Sequence, residues 1–126
     1  MPPHLDRKQR WLWAAIRIRC ALQPDEPRLI PHYLTEADAL VRRMRLSPWE
    51  AAWRAAELLA GAAADRALPG HWRHLCLDHL HQPLARLACC ALTPQQQARL
   101  AALRWRVANL DLSPSMQLDG PDSPFA

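Results

Sequence analysis

The tetrads Ser47-Pro48-Trp49-Glu50 and Thr93-Pro94-Gln95-Gln96 constrain the fold most, because each writes the start of an α-helix in side-chain chemistry. A hydroxyl at the N-cap accepts a bond from an orphan amide of the first turn. Proline at the next position brings a preset φ where its missing donor is no loss, and the Glu or Gln three residues after the cap can reach back. Thr35-Glu36-Ala37-Asp38 is a weaker version, with acids in the first turn to suit the helix dipole. These starts predict helices over 5–22, 35–45, 48–67, 71–91 and 94–110, the fourth kinked or split at Pro83. The segment 23–33, with Pro24, Pro27 and Pro31, reads as an ordered loop, and Leu68-Pro69-Gly70 ends the third helix.

Composition agrees with the caps. Half of the residues are hydrophobic, yet Phe and Tyr occur once each, so the interior must be built from Leu, Ala and the six Trp. Ala and Leu lead the helix scale, and the β-branched residues that strands prefer are few. At 126 residues the chain fits one domain. The expected architecture is therefore all-α: a compact bundle of about five helices over residues 1–110, followed by a disordered tail. That tail, 111–126, is acidic and rich in Pro and Ser, and it has too little apolar surface to offset its ordering entropy.

Apolar spacing supports the helices independently. In the last one, Leu100, Leu103, Val107 and Leu110 form one stripe, with Ala98, Ala101, Trp105 and Ala108 beside it, a width that predicts burial against two neighbours. In the third, Trp49, Ala52, Trp53, Ala56, Leu59, Ala60 and Ala63 make a face whose small residues admit a partner helix.

All sixteen basic residues precede position 111, whereas Asp111, Asp119 and Asp122 follow it, so residues 1–110 carry a formal +7 against +4 overall. Such a balance suits nucleic acid, an acidic protein or an anionic surface without choosing among them. Every base except Lys8 is Arg, which together with the Ala and Leu load is the imprint of a GC-rich genome. Cys20, Cys76, Cys89 and Cys90 lack the spacing of a secreted disulfide framework. No run is apolar enough for a membrane span, and Arg17 and Arg19 break any signal-peptide core, so a cytoplasmic protein of a bacterium or phage is expected.

Enzyme signatures are wanting: the three glycines form no phosphate loop, and there is neither a nucleophile elbow nor a cofactor motif. Four constellations remain. On the first helix, Leu5, Leu12, Trp13, Ile16 and Cys20 form the expected core arc, while Trp11 and Ile18 fall within a basic arc of Arg7, Lys8, Arg10, Arg17 and Arg19. An apolar anchor ringed by Arg is common at protein interfaces, so Arg7, Arg10, Trp11, Arg17 and Ile18 are the expected partner-binding face of a non-enzymatic adaptor, accessory chaperone or inhibitor.

The alternative is a nucleic-acid-binding or transcription-regulatory protein that holds phosphates through Arg42, Arg43 and Arg45. Leu40, Met44, Leu46 and Ser47 mimic a helix-turn-helix, but the reading positions would fall on Trp49, Ala52, Trp53 and Ala56, so recognition would not be sequence-specific. A second alternative is metal binding by His74, Asp78 and His81, spaced i, i+4, i+7, with His71 on the same arc; ordinary helix polarity accounts for that face as well. Finally, Cys89-Cys90 in an apolar setting predicts burial of at least one thiol.

Overall fold

The computed structural model describes residues 5–116. It contains six helices: α1 (Arg7–Arg19), α2 (Leu29–Arg42), α3 (Pro48–Ala64), α4 (Gly70–His79), α5 (His81–Cys90) and α6 (Pro94–Ala108). There is no strand among the described residues, and the all-helical bundle is as expected, with the fourth predicted helix divided in two.

Both tetrads act as written. Ser47 Oγ accepts from the Glu50 amide at 3.0 Å, and Pro48 is the first helical residue. Thr93 and Gln96 form a full capping box. Asp6 and Gln9 form another ahead of α1, one not anticipated from the sequence.

The proline-rich segment departs from expectation. Its three prolines predict a loop up to 33, but α2 begins at Leu29, which places Pro31 at the third helical position, where the missing N–H would have had no intrahelical partner. Thr35 is consequently inside the helix, its hydroxyl bonded to the Pro31 carbonyl at 3.0 Å, and caps nothing. Pro83 uses the same allowance at the third position of α5. Its ring would collide with the carbonyl of His79, four residues back, and α4 ends at His79.

α3 is the axis of the molecule and packs against α1, α2, α4 and α5. Ala51, Ala52, Ala55, Ala56, Ala60, Ala62 and Ala63 are all buried along it, so neighbours approach from several sides. Trp72, Leu59, Leu87, Leu80 and Cys76 fill the space that these methyl groups leave. At Gly61 a side chain would lie 3.2 Å from Arg19 Nε, and Arg19 crosses there to meet Asp65, the C-cap of α3, at 2.8 Å. Hydrogen bonding from Arg19, then from the Ala67 amide, holds the Asp65 carboxyl below its ordinary pKa.

α6 is covered on one side only. Leu100 and Leu103 are buried, whereas Ala98, Ala101, Trp105 and Ala108 face outward, so the second stripe has no neighbour, contrary to expectation. α6 is fastened to α3 from above: Arg99 stacks 4.2 Å over the Trp53 ring, and Arg106 pairs with Glu57 at 2.8 Å.

The tail expected to be disordered from 111 is a strap in its first part. Arg73, buried to 6% exposure, donates from Nη2 to the Asp111 carbonyl at 3.0 Å and from Nη1 to the Ser113 carbonyl at 2.7 Å and Ser115 Oγ at 3.2 Å. Its Nε donates to the Ala63 carbonyl at the end of α3. The Met116 amide bonds the Arg66 carbonyl at 2.8 Å. The remainder of that expected tail, from 117, lies outside the described residues.

Candidate functional site at the corner of α1 and α2

The first helix is turned over relative to its expected orientation. Trp11, Ala14 and Ile18, spaced i, i+3, i+7, form the buried stripe, with Trp11 at 2% and Ile18 at 0% exposure. Trp11 stacks on Tyr33 at 4.9 Å and donates its indole N–H to the Tyr33 carbonyl at 3.1 Å. Trp13, Ile16 and Cys20, expected in the core, are exposed. Both stripes carry enough apolar residues to be buried. Ala14 decides for the first, because a methyl group at its centre lets the helices come close enough for the Trp11–Tyr33 stack. Trp11 and Ile18 are therefore core residues and offer nothing to a partner.

The three arginines of that expected face do reach the surface. Arg7, Arg10 and Arg17 line a cleft of about 170 Å³ between α1 and α2, opposite His32 and Glu36. Arg7 also stands at the edge of a second feature, where the start of α1 meets the end of α2. Two adjoining depressions of about 470 and 580 Å³ there share Lys8 and Arg45 as a common wall. Arg7, Arg43 and Leu40 line the first; Val41, Met44, Leu46 and Pro48 line the second. The first is lined almost wholly by charged side chains and the second largely by apolar ones, so the corner presents an open apolar groove beside a cationic depression.

The local sequence explains the shape. α2 closes in a Schellman turn: the Met44 amide bonds the Val41 carbonyl at 3.0 Å, and the Arg45 amide bonds the Leu40 carbonyl at 2.9 Å. The turn requires a left-handed residue, ordinarily glycine, and here Met44 takes it at φ 58°. Its side chain is thrown outward to 90% exposure, between Arg43 and Arg45. Leu46 turns back into the core and fixes the chain before Ser47 caps α3.

Most arginines outside this corner are engaged by the protein itself, although Arg104 on α6 is not and Arg99 meets only the Trp49 and Trp53 rings. Arg19, Arg28, Arg54, Arg86 and Arg106 all pair with carboxylates, and Arg73 is held by carbonyls. Among the described residues, the side chains of Lys8, Arg42, Arg43 and Arg45 meet no carboxylate and no hydrogen-bond acceptor. Arg42 and Arg43 suit the negative end of α2. Arg45, past that end, and Lys8, on another helix, have no such structural reason to be there. Two carboxylates adjoin the groove: Asp6 is engaged in capping α1, and Glu50 faces Arg54 at 3.9 Å.

The helix-turn-helix pattern does not form, because Met44 points outward rather than into a core and α3 is covered by its neighbours. His74, Asp78 and His81 are not brought together either. Helix α4 ends before His81, whose Nδ1 meets the Asp78 carbonyl at 2.8 Å, and His71 Nε2 meets the Pro24 carbonyl at 2.9 Å. Among the described residues no three His, Cys, Asp or Glu side chains are grouped to hold a metal ion. Cys89 is exposed and Cys90 half-buried, so neither thiol is in the core; the buried one is Cys76, where desolvation pushes the pKa up to about 12. No helix among the described residues is long and apolar enough to cross a membrane. Compared with known protein families, curated proteins and solved structures, the chain matches none.

Proposed function

We propose that the protein is a non-enzymatic binding module, a cytoplasmic adaptor or inhibitor of bacterial or phage origin, that takes an acidic segment of another protein into the groove where α1 meets α2. Met44 carries this reading. An exposed methionine held in a left-handed turn, where glycine would be less strained, stands in a ring of cations without partners. Met and Arg are enriched at protein interfaces and Lys is depleted, and a thioether adapts its shape to what it meets. Val41, Leu46 and Pro48 would take an apolar side chain while Lys8, Arg43 and Arg45 take carboxylates on either side of it.

A second reading rests on part of the same observation. The same unpaired cations can hold a phosphate backbone without regard to sequence. Fluorescence anisotropy with two probes separates the readings: a peptide alternating Glu with Leu, and a DNA duplex of the same net charge. The acidic-peptide reading expects tighter binding of the peptide and about tenfold weaker binding after Arg43→Ala with Arg45→Ala. Met44→Ser should weaken the peptide alone, because phosphates gain nothing from a thioether. Equal loss for both probes on adding salt, with no response to Met44→Ser, would establish the nucleic-acid reading instead. Binding of neither probe would remove both.

A further inference from the structure

The α1–α2 cleft is a separate feature. Arg7, Arg10, Ala14 and Arg17 follow i, i+3, i+7, i+10, so one stripe of α1 carries three guanidinium groups with a methyl group among them. The depression is lined by that stripe and, from α2, by His32 and Glu36, with the Trp11–Tyr33 stack contributing to its wall. Three fixed positive charges face one carboxylate, and Glu36 is engaged by Arg7 Nε at 3.2 Å.

The hydrogen-bond inventory is incomplete in a telling way. Arg7 Nη1 is buried with no acceptor, alone in this among the side-chain atoms of the described residues. A buried donor without a partner is disfavoured, a cost the fold carries at this guanidinium. Arg10 reaches only the Leu5 carbonyl, through Nη1 at 3.4 Å, and its other donors are free. Arg17 gives Nε and Nη2 to Gln23, which fixes its plane at the end of the stripe and leaves Nη1 free. Like charges lining one cleft repel, and a dianion between them would relieve that repulsion.

We infer that this cleft binds a single phosphate dianion, free or as a small monoester, held by Arg7, Arg10 and Arg17. The planar fork of Arg matches a tetrahedral oxyanion through paired N–H donors, which Lys cannot reproduce. A cleft of about 170 Å³ takes such a group and little more, whereas a polymer backbone would have to run past it. The site shares only Arg7 with the corner groove, so it stands whether or not that groove binds an acidic segment.

The test is thermal unfolding and isothermal titration of the full chain with inorganic phosphate and with phenyl phosphate, against sodium chloride at matched ionic strength. The expected result is a Tm that rises to a plateau with phosphate and not with chloride. Arg10→Gln should bind at least about tenfold more weakly, since one charge-assisted bond is lost. Arg10→Gln with Arg17→Gln should abolish the shift while circular dichroism is unchanged. Should the double variant fail to fold, Arg10→Gln alone decides, because Arg10 is exposed and makes only the long bond to the Leu5 carbonyl. Arg28→Gln, whose guanidinium pairs with Glu26 outside the cleft, should bind as the parent does. Phosphate acting with phenyl phosphate inert would confine the site to the free ion; the reverse would assign it to monoesters. Equal effects of phosphate and chloride, or full phosphate binding by Arg10→Gln, would overturn the inference.

Discussion

Arg73 and Arg45 are the same side chain in opposite circumstances. Around Arg73 the protein supplies four oxygens, from the end of α3 and from the strap at 111–115, to four of the five N–H donors of the guanidinium. Around Arg45 it supplies none among the described residues, and the neighbours are two further arginines and a lysine in the same condition. A guanidinium whose donors are nearly all taken is a structural part of the fold, however polar it looks in the sequence. One whose donors are all open contributes little to stability and has capacity to offer elsewhere. The acceptor inventory, more than charge or exposure, distinguishes the two roles.

If that distinction holds, substitutions at the two places should separate stability from binding. Arg73→Met should lower the unfolding free energy most, by about 3 kcal/mol, because the buried Ala63 carbonyl loses its donor and the strap loses its anchor. Urea denaturation followed at the helical circular-dichroism band measures it, and a change under 1 kcal/mol would mean that the strap does not need Arg73. Arg43→Ala with Arg45→Ala should leave stability within about 0.5 kcal/mol while weakening the acidic-peptide probe about tenfold. A stability loss comparable to that of Arg73→Met would erase the difference between the sites. Ser115→Ala tests the strap from its other side. The hydroxyl accepts from Arg73 and donates to the Leu68 carbonyl, and its removal should destabilise by about 1 kcal/mol without affecting either probe.

The two regions also differ in how far the sequence discloses them. Helix starts at Pro48 and Pro94 are legible because a cap is local: all the atoms involved lie within four residues. The break near Pro83 is legible for the same reason, whereas Pro31 misleads, since a first-turn proline and a loop proline look alike until the start of the helix is known. The phase of α1 was not legible. Trp11 with Ile18 and Trp13 with Ile16 are two stripes of similar apolarity, and Ala14 decides between them only because it admits the stack on Tyr33, which lies 22 residues from Trp11. The role of Arg73 is not legible, because its strap acceptors lie 38 to 42 residues away, on a segment that composition alone describes as a free tail. The corner was half legible: Arg42, Arg43 and Arg45 stand out as a run, but nothing in the sequence brings Lys8 and Arg7 to them or turns Met44 outward.

Met44 and Ala21 give the finest version of the comparison, because the same backbone device occurs at both. α1 ends as α2 does, with the Ala21 amide bonded to the Ile18 carbonyl at 3.1 Å and the Leu22 amide to the Arg17 carbonyl at 2.9 Å. Ala21 sits at φ 50° and Met44 at φ 58°, a conformation that costs an L-residue about 1 kcal/mol relative to glycine. Part of any gain from glycine returns to the unfolded chain as entropy, so Met44→Gly should stabilise by about 0.5 kcal/mol, and Ala21→Gly by somewhat less because a half-buried methyl is lost. Stability alone therefore does not separate the two positions. Binding should: Ala21→Gly is expected to leave the acidic-peptide affinity unchanged, while Met44→Gly, with every cation of the rim still present, should reduce it about threefold. If both glycine variants gain stability and neither loses affinity, Met44 is an ordinary exposed side chain on a tolerated turn, and the groove acts through its charges alone.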